Sequence, residues 1–410
     1  MKIRAILPAI FISLASVLAD AQISTQNLPE GIRSPSVRFG NISQLSQQYN
    51  DSGHLNNSVD LRSVEFNAKK LSVLEPKIEA LVGLFNRMGR YDLGSQINKG
   101  TLKIDSQPNI QYTAPVMAYG VNSRWTLGAG LPVIHYKNDI QLSKSNSNIS
   151  AFKAIASGLG VAELSQGLQQ LEDIDLISAF HSELKKKGYH ELENQDQTFL
   201  GDLQLASLYR LEDTGSLQSL FRLNVVLPTG PKYDPDNLAA FNQFGSTSIE
   251  PQMISSYPIM DQVKVSGLLG VRISIPDQVT VRVPENEDDL LPNADQKETL
   301  KRQTGLKLTE TLQLSYAASE SWTVFAMSEW AQKAADRFEG TQQKRYDLLS
   351  RDTDTQTQIV TGGISFSSVE SYQKRKKGIP AMVAIQMSDT IAGKNTQRQL
   401  VQEISATMFF

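Results

Sequence analysis

The chain ends Arg398-Gln399-Leu400-Val401-Gln402-Glu403-Ile404-Ser405-Ala406-Thr407-Met408-Phe409-Phe410. Leu400, Ile404, Ala406, Met408 and Phe410 fall on every second position, with Gln399, Glu403, Ser405 and Thr407 mostly between them. A period of two belongs to a strand with one apolar and one polar face, because successive strand side chains point to opposite sides. A strand that runs to the last residue and finishes on an aromatic is the ending expected of a bacterial outer-membrane β-barrel, where that aromatic sits at the lipid interface beside the periplasm. Phe410 is therefore read as the assembly signal, with the barrel-assembly machinery as the expected partner.

The other end agrees. Lys2 and Arg4 form a short basic head, Ala5 to Leu18 is mostly apolar, and Ala19-Asp20-Ala21 is an A-x-A cleavage site, so residues 1–21 read as a signal peptide and the mature chain is expected to begin at Gln22. The apolar run is shorter than the ~20 residues a spanning helix needs. Cysteine is absent, which excludes a lipid-anchored lipoprotein and disulfide stapling. At 410 residues and 40% hydrophobic content the chain is long enough for a large core, and a net charge of -3 gives no reason to expect nucleic acid. No stretch beyond the signal approaches the length of a spanning helix, whereas a barrel strand needs only ~9–11 residues with one apolar face.

Strands of this kind recur. From Val263 to Ile275, Val263, Val265, Leu269, Val271 and Ile273 share one face, and Lys264, Ser266, Arg272 and Ser274 the other. The pattern returns at Phe199 to Leu211, Ser219 to Pro228 and Leu306 to Ala317, where Glu310 interrupts the apolar face. Weaker versions are Asn109 to Tyr119, Trp125 to Tyr136, Ser248 to Tyr257, Trp322 to Lys333, Gln356 to Ser368 and Ile379 to Thr390. With the terminal strand these make eleven. Closed bacterial barrels use an even number, so a twelfth is expected before Asn109, within Asp60 to Leu74. The expected fold is an all-β transmembrane antiparallel β-barrel of about twelve strands, in a range of roughly ten to fourteen. Residues 59–410 form the barrel, and 22–58 either a periplasmic tail or a plug in the lumen.

Connection lengths support a barrel. Gly120 to Arg124, Glu212 to Gln218, Ile259 to Gln262 and Ser319 to Ser321 are short, while Lys137 to Thr198, Thr229 to Thr247, Pro276 to Gly305 and Ala334 to Thr355 are long. The two kinds alternate, as short periplasmic turns and long extracellular loops do. The first long loop, 137–198, carries a helical stripe of Leu164, Leu168, Leu171 and Ile174 at spacings of three and four, and Ile78 to Met88 carries another. These insertions either cap the barrel or expose an apolar surface by which a hydrophobic solute enters.

Little points to chemistry. His54, His135, His181 and His190 lack metal-ligand spacing, no nucleophile and base are fixed by motif, and the acidic cluster Glu285, Glu287, Asp288 and Asp289 lacks the order of a calcium loop. The expectation is no enzyme, no metal and no cofactor. Asp202, Arg210, Arg222, Lys264, Arg272 and Lys307 fall on the polar faces of consecutive strands and read as lumen-lining, either as a network filling the barrel or as a pathway that selects solutes by charge.

Gly201-Asp202-Leu203-Gln204-Leu205, Tyr209-Arg210-Leu211, Leu223 to Leu227 with Pro228-Thr229-Gly230, and Tyr119-Gly120-Val121 with Trp125-Thr126-Leu127-Gly128 and Leu131-Pro132 together give the chain a likeness. It resembles the outer-membrane proteins grouped as the phenol-degradation MetA-pathway family, distant relatives of FadL-type transporters. The resemblance implies a monomeric barrel, embedded among outer-membrane lipid and lipopolysaccharide, that lets small hydrophobic molecules such as aromatics or fatty acids cross passively. The rival expectations are a general or anion-leaning porin and a structural or adhesive surface barrel.

Overall fold

The computed structural model describes residues 23, 25–57, 63–74, 77–88, 92–145, 147–213, 216–241, 245–287, 289, 291–375 and 378–410. The signal peptide expected at 1–21 and its cleavage junction lie outside them. Twelve antiparallel strands close into a barrel. They are β1 (Arg33–Ser43), β2 (Asn98–Asn122), β3 (Trp125–Gly130 continued by Val133–Ser145), β4 (Gln195–Leu200 continued by Leu203–Asp213), β5 (Gln218–Leu227) and β6 (Ser248–Met260). The ring continues through β7 (Val263–Ser274), β8 (Lys307–Ala317), β9 (Trp322–Lys333), β10 (Thr355–Ser367), β11 (Ala381–Lys394) and β12 (Leu400–Met408). β1 closes it, pairing with β12 from Ser36↔Thr407 to Ser43↔Leu400 and with β2 from Arg33↔Tyr119 to Ile42↔Ile110. The terminal Phe410 finishes the seam, exchanging backbone hydrogen bonds of 2.7 and 3.0 Å with Arg33. Closure satisfies every strand edge within the wall, as a lipid environment requires.

The twelfth strand is thus Arg33–Ser43, not a strand within Asp60 to Leu74. Of that expected range, 60–62 lie outside the described residues, Ser63–Asn67 pairs with the upper end of β2, and Ala68–Leu74 is helical. The signal for β1 was weak for a physical reason. Its inward face is Ser34, Ser36, Arg38, Gly40 and Ile42, and its outward face carries few large apolar groups besides Val37 and Phe39. Of the segment 22–58, Arg33–Ser43 thus belongs to the wall, and Gln47–Tyr49 and Leu55–Asn57 form a small separate sheet with Thr396–Gln397.

Facing follows the alternation read from the sequence. On β7 and β8 the outward Leu269 and Leu312 are each 60% exposed, while Ser266 and Gln313 are fully buried inside. Exposed leucines in that number suit hydrocarbon rather than water. Tyr119, Trp125, Tyr209, Tyr257, Tyr316 and Trp322 are exposed close to the short turns, as a girdle at the periplasmic interface.

β2, β3 and β4 extend beyond their neighbours at the extracellular end, since β1 stops at Ser43 while β2 goes on pairing with β3 up to Thr101↔Ser145. Against this extension pack helices α1 (Ala68–Leu74), α2 (Lys77–Met88), α3 (Ile149–Leu159), α4 (Ala162–Asp173) and α5 (Leu176–Lys186). They form a cap with its own core of Phe66, Leu71, Phe85, Leu102, Phe152, Leu164, Leu168, Leu171 and Leu184. Asp175 starts α5 by accepting the Ser178 backbone N–H at 3.1 Å. Leu164, Leu168 and Leu171 are buried, and Ile174 packs against them. The stripe therefore faces the cap's interior, where each buried leucine gains ~2 kcal/mol, and does not itself present a surface for solute entry.

Candidate functional site: the barrel lumen

Chain from the segment before β1 enters the lumen from the periplasmic end. The Ile23 N–H donates to Gln313 Oε1 at 2.7 Å, Thr25 Oγ1 donates to Gln218 Oε1 at 2.9 Å, and the Leu28 N–H donates to Thr126 Oγ1 at 3.0 Å. Asn27 Nδ2 donates to the Arg124 carbonyl in the first periplasmic turn. Ile23 packs on the inward Leu220 and Ile254. The segment then turns at Gly31, where φ is +82°, and passes close over Gly120, whose missing side chain would collide with the Pro29 carbonyl at 2.0 Å.

Toward the extracellular end one wall is cationic. Register aligns Asn224 with Glu250 and Arg272 with Lys307 and Lys333, so these inward residues form one rung across β5 to β9. Arg272 donates to Glu250 Oε2 at 2.8 and 3.0 Å. Gln252 Nε2 donates to Glu250 Oε1 at 2.7 Å, and the Arg222 Nε donates in turn to Gln252. Lys333 pairs with Asp336 at 2.5 Å. Lys307 stands between Arg272 and Lys333 and feels Glu329 and Glu250 without a hydrogen bond or ion pair of its own among the described residues. Asn224 is 2% exposed, and neither its Oδ1 nor its Nδ2 has a hydrogen-bond partner among the described residues.

Of the residues expected in the lumen, Arg222, Arg272 and Lys307 are brought together here. Lys264 also faces inward but lies at the periplasmic end of β7, and Arg210 faces inward opposite Leu220. Asp202 does something else. It sits in a bulge between the two segments of β4, and its Oδ1 accepts the Gly230 N–H at 3.0 Å. Thr229 completes the knot by accepting from the Leu203 N–H at 2.9 Å and donating to the Gly201 carbonyl at 3.0 Å. The Gly201-Asp202 and Pro228-Thr229-Gly230 motifs therefore meet in space, where β5 leaves the sheet.

On the opposite wall lies a cluster the sequence reading missed. Gly40 is level with Tyr112 on one side and Glu403 on the other. The Tyr112 ring lies across Gly40 and its hydroxyl donates to Glu403 Oε2 at 2.5 Å, while Gln386 Nε2 donates to Oε1 at 3.0 Å. Gly363 is covered in the same way by Phe325. A groove of about 830 Å³ lies on the outer side of this thin wall, lined by Phe39, Val133, Ile364, Ile385, Met387 and Ile404 with Asn41, Gln111 and Gln402 beside them. It offers an apolar molecule in the membrane a concave surface. Only the alternation of Glu403 within the terminal strand hinted at the cluster, because the pairing of β12 with β1 is set by barrel closure.

Among the described residues no group of acidic or histidine side chains is arranged to hold a metal ion. No protein-family model and no curated protein matches the chain. Solved structures do. An outer membrane channel from Pseudomonas putida F1 superposes with a TM-score of 0.52 at 11% identity, covering 95% of this chain and 100% of that one. The CymD monoaromatic hydrocarbon channel (12% identity, 98% and 95% coverage) and the toluene transporter TbuX of Ralstonia pickettii (10%, 93% and 90%) follow, each at a TM-score of 0.35. By its closed ring, its lipid-facing belt and this first superposition, the chain has the fold of an outer-membrane channel.

Proposed function

We propose that this protein is an outer-membrane transporter for the passive uptake of small hydrophobic molecules, aromatics or fatty acids. Residues 23 and 25–28 lie inside the lumen, bonded to Gln313, Gln218 and Thr126 with Ile23 on an apolar patch, and this carries the reading. A barrel of about twelve strands has a small interior, so such a segment acts as a plug and leaves no wide aqueous pore. The cap over the extracellular end, with its apolar core, supports the same reading, as does the likeness of the motifs around Asp202 and Thr229 to FadL relatives. In this reading residues 1–21 are removed on export and Phe410 directs assembly. A second reading, an anion-leaning porin, is favoured by the cationic rung.

Solute entry into liposomes carrying the refolded protein separates the two. A radiolabelled aromatic hydrocarbon is expected to enter faster than into empty liposomes, with a small sugar unchanged. Ready entry of the sugar would replace the transporter by the porin.

A further inference from the structure

Arg272, Lys307 and Lys333 are neighbours on three adjacent strands and all face inward. Like charges opposed across strands destabilise a sheet, so this arrangement needs a compensating group. Two acids are already engaged, Glu250 by Arg272 and Asp336 by Lys333. Lys307, between them, has no hydrogen-bond or ion-pair partner of its own among the described residues. On the same rung the buried Asn224 amide has an unused donor and an unused acceptor, and a buried amide without partners costs about 1–3 kcal/mol.

We infer that this rung is a binding site for one oxyanion, with Lys307 as the principal cation, Arg272 beside it and Asn224 Nδ2 as an added donor. One lysine without a contact acid among the described residues fits a monoanion. Resting on the transporter reading, the inference narrows the substrate to small amphipathic monocarboxylates, of which an aromatic acid is the simplest. The carboxylate exchanges its water for Lys307 near the extracellular end, and the second inward cation, Lys264, lies at the periplasmic end of the same strand layer, without a hydrogen-bond or ion-pair partner among the described residues. Two cations spaced along the lumen suit entry at one end and release at the other.

Calorimetric titration of the refolded protein in detergent with benzoate and with benzamide, its neutral isostere, tests this. Benzoate should bind about tenfold more tightly, the ratio one charge-assisted hydrogen bond supplies. Lys307→Met should abolish the difference and Lys307→Arg restore it, with the heat-modifiable gel mobility of the barrel reporting that each variant is folded. Equal binding of the two probes by the folded wild type, or a preference that survives Lys307→Met, would overturn the inference. Aromatic uptake into liposomes that persists when benzoate shows no preference would leave the transporter reading standing without it. A benzoate preference in a protein that transports no aromatic would keep the site and remove transport.

Discussion

Gly40→Val is expected to lower the stability of the barrel by about 4 kcal/mol, a sum of overpacking and a lost buried hydrogen bond. An added Cβ would fall 2.2 to 2.4 Å from the Tyr112 ring, which cannot withdraw without releasing Glu403. Glu403 would keep Gln386 but lose its strongest donor inside the wall. The damage falls on β1, the strand that closes the ring between β2 and β12, so failure should show as lost closure. Urea titration of refolding into detergent, followed by heat-modifiable gel mobility, measures it. Removing the ring in Gly40→Val/Tyr112→Ala should recover part of the loss, since the two positions touch and are coupled. An unchanged midpoint for Gly40→Val would contradict the account of this seam.

The second large effect concerns the cap. Arg282 is buried over the Tyr189 ring, 3.7 Å from its centroid. It donates to the carbonyls of Lys187, Gly188 and Pro292 at 2.7 to 2.8 Å and to Asp236 at 2.6 and 3.1 Å. One guanidinium thereby ties together three extracellular loops that are distant in sequence. Arg282→Met should cost the cap about 3 kcal/mol, because the Lys187 and Gly188 carbonyls lose this donor and Asp236 is left with Lys297 alone. Limited proteolysis at neutral pH should cut the variant within 228–247 or 275–306 while the barrel stays intact.

Acid offers a second handle on the same hub. Burial alone would push the Asp236 carboxyl up, but the hydrogen bonds from Lys297 and Arg282 outweigh it and hold it below the usual carboxylate range. A carboxyl depressed on folding contributes stability that is present above its unfolded value of 3.8 and is lost as pH falls through the lower folded value. The wild-type cap should therefore resist protease from neutral pH down to mild acid and open only in stronger acid. Protection that faded near neutral pH would show that Asp236 does not carry it.

Eleven strands were legible because lipid on one side and polar contacts on the other enforce a period of two, as at Val263 to Ser274. Arg33–Ser43 escaped because Gly40 and its serines leave room for neighbours instead of supplying an apolar face. The cap stripe was legible as a helix but not as buried, since a period of three and four states that a face is covered and not what covers it. Within the lumen, Arg222, Arg272 and Lys307 were visible as inward charges on consecutive strands. Their convergence with Asn224 and Glu250 depends on register, which strand pairing sets and the period does not. Asp202 was misplaced for a related reason: its bulge shifts the alternation of β4, and its partners Thr229 and Gly230 lie on the next connection.

With residues 23 and 25–28 in the lumen the barrel should be closed, and without them it should conduct. Single-channel recording in planar bilayers, comparing the protein with a variant lacking residues 23–28, tests it most directly. The intact protein should show little steady conductance, and the deletion a stable open conductance that favours anions. A steady open conductance in the intact protein that the deletion left unchanged would contradict it.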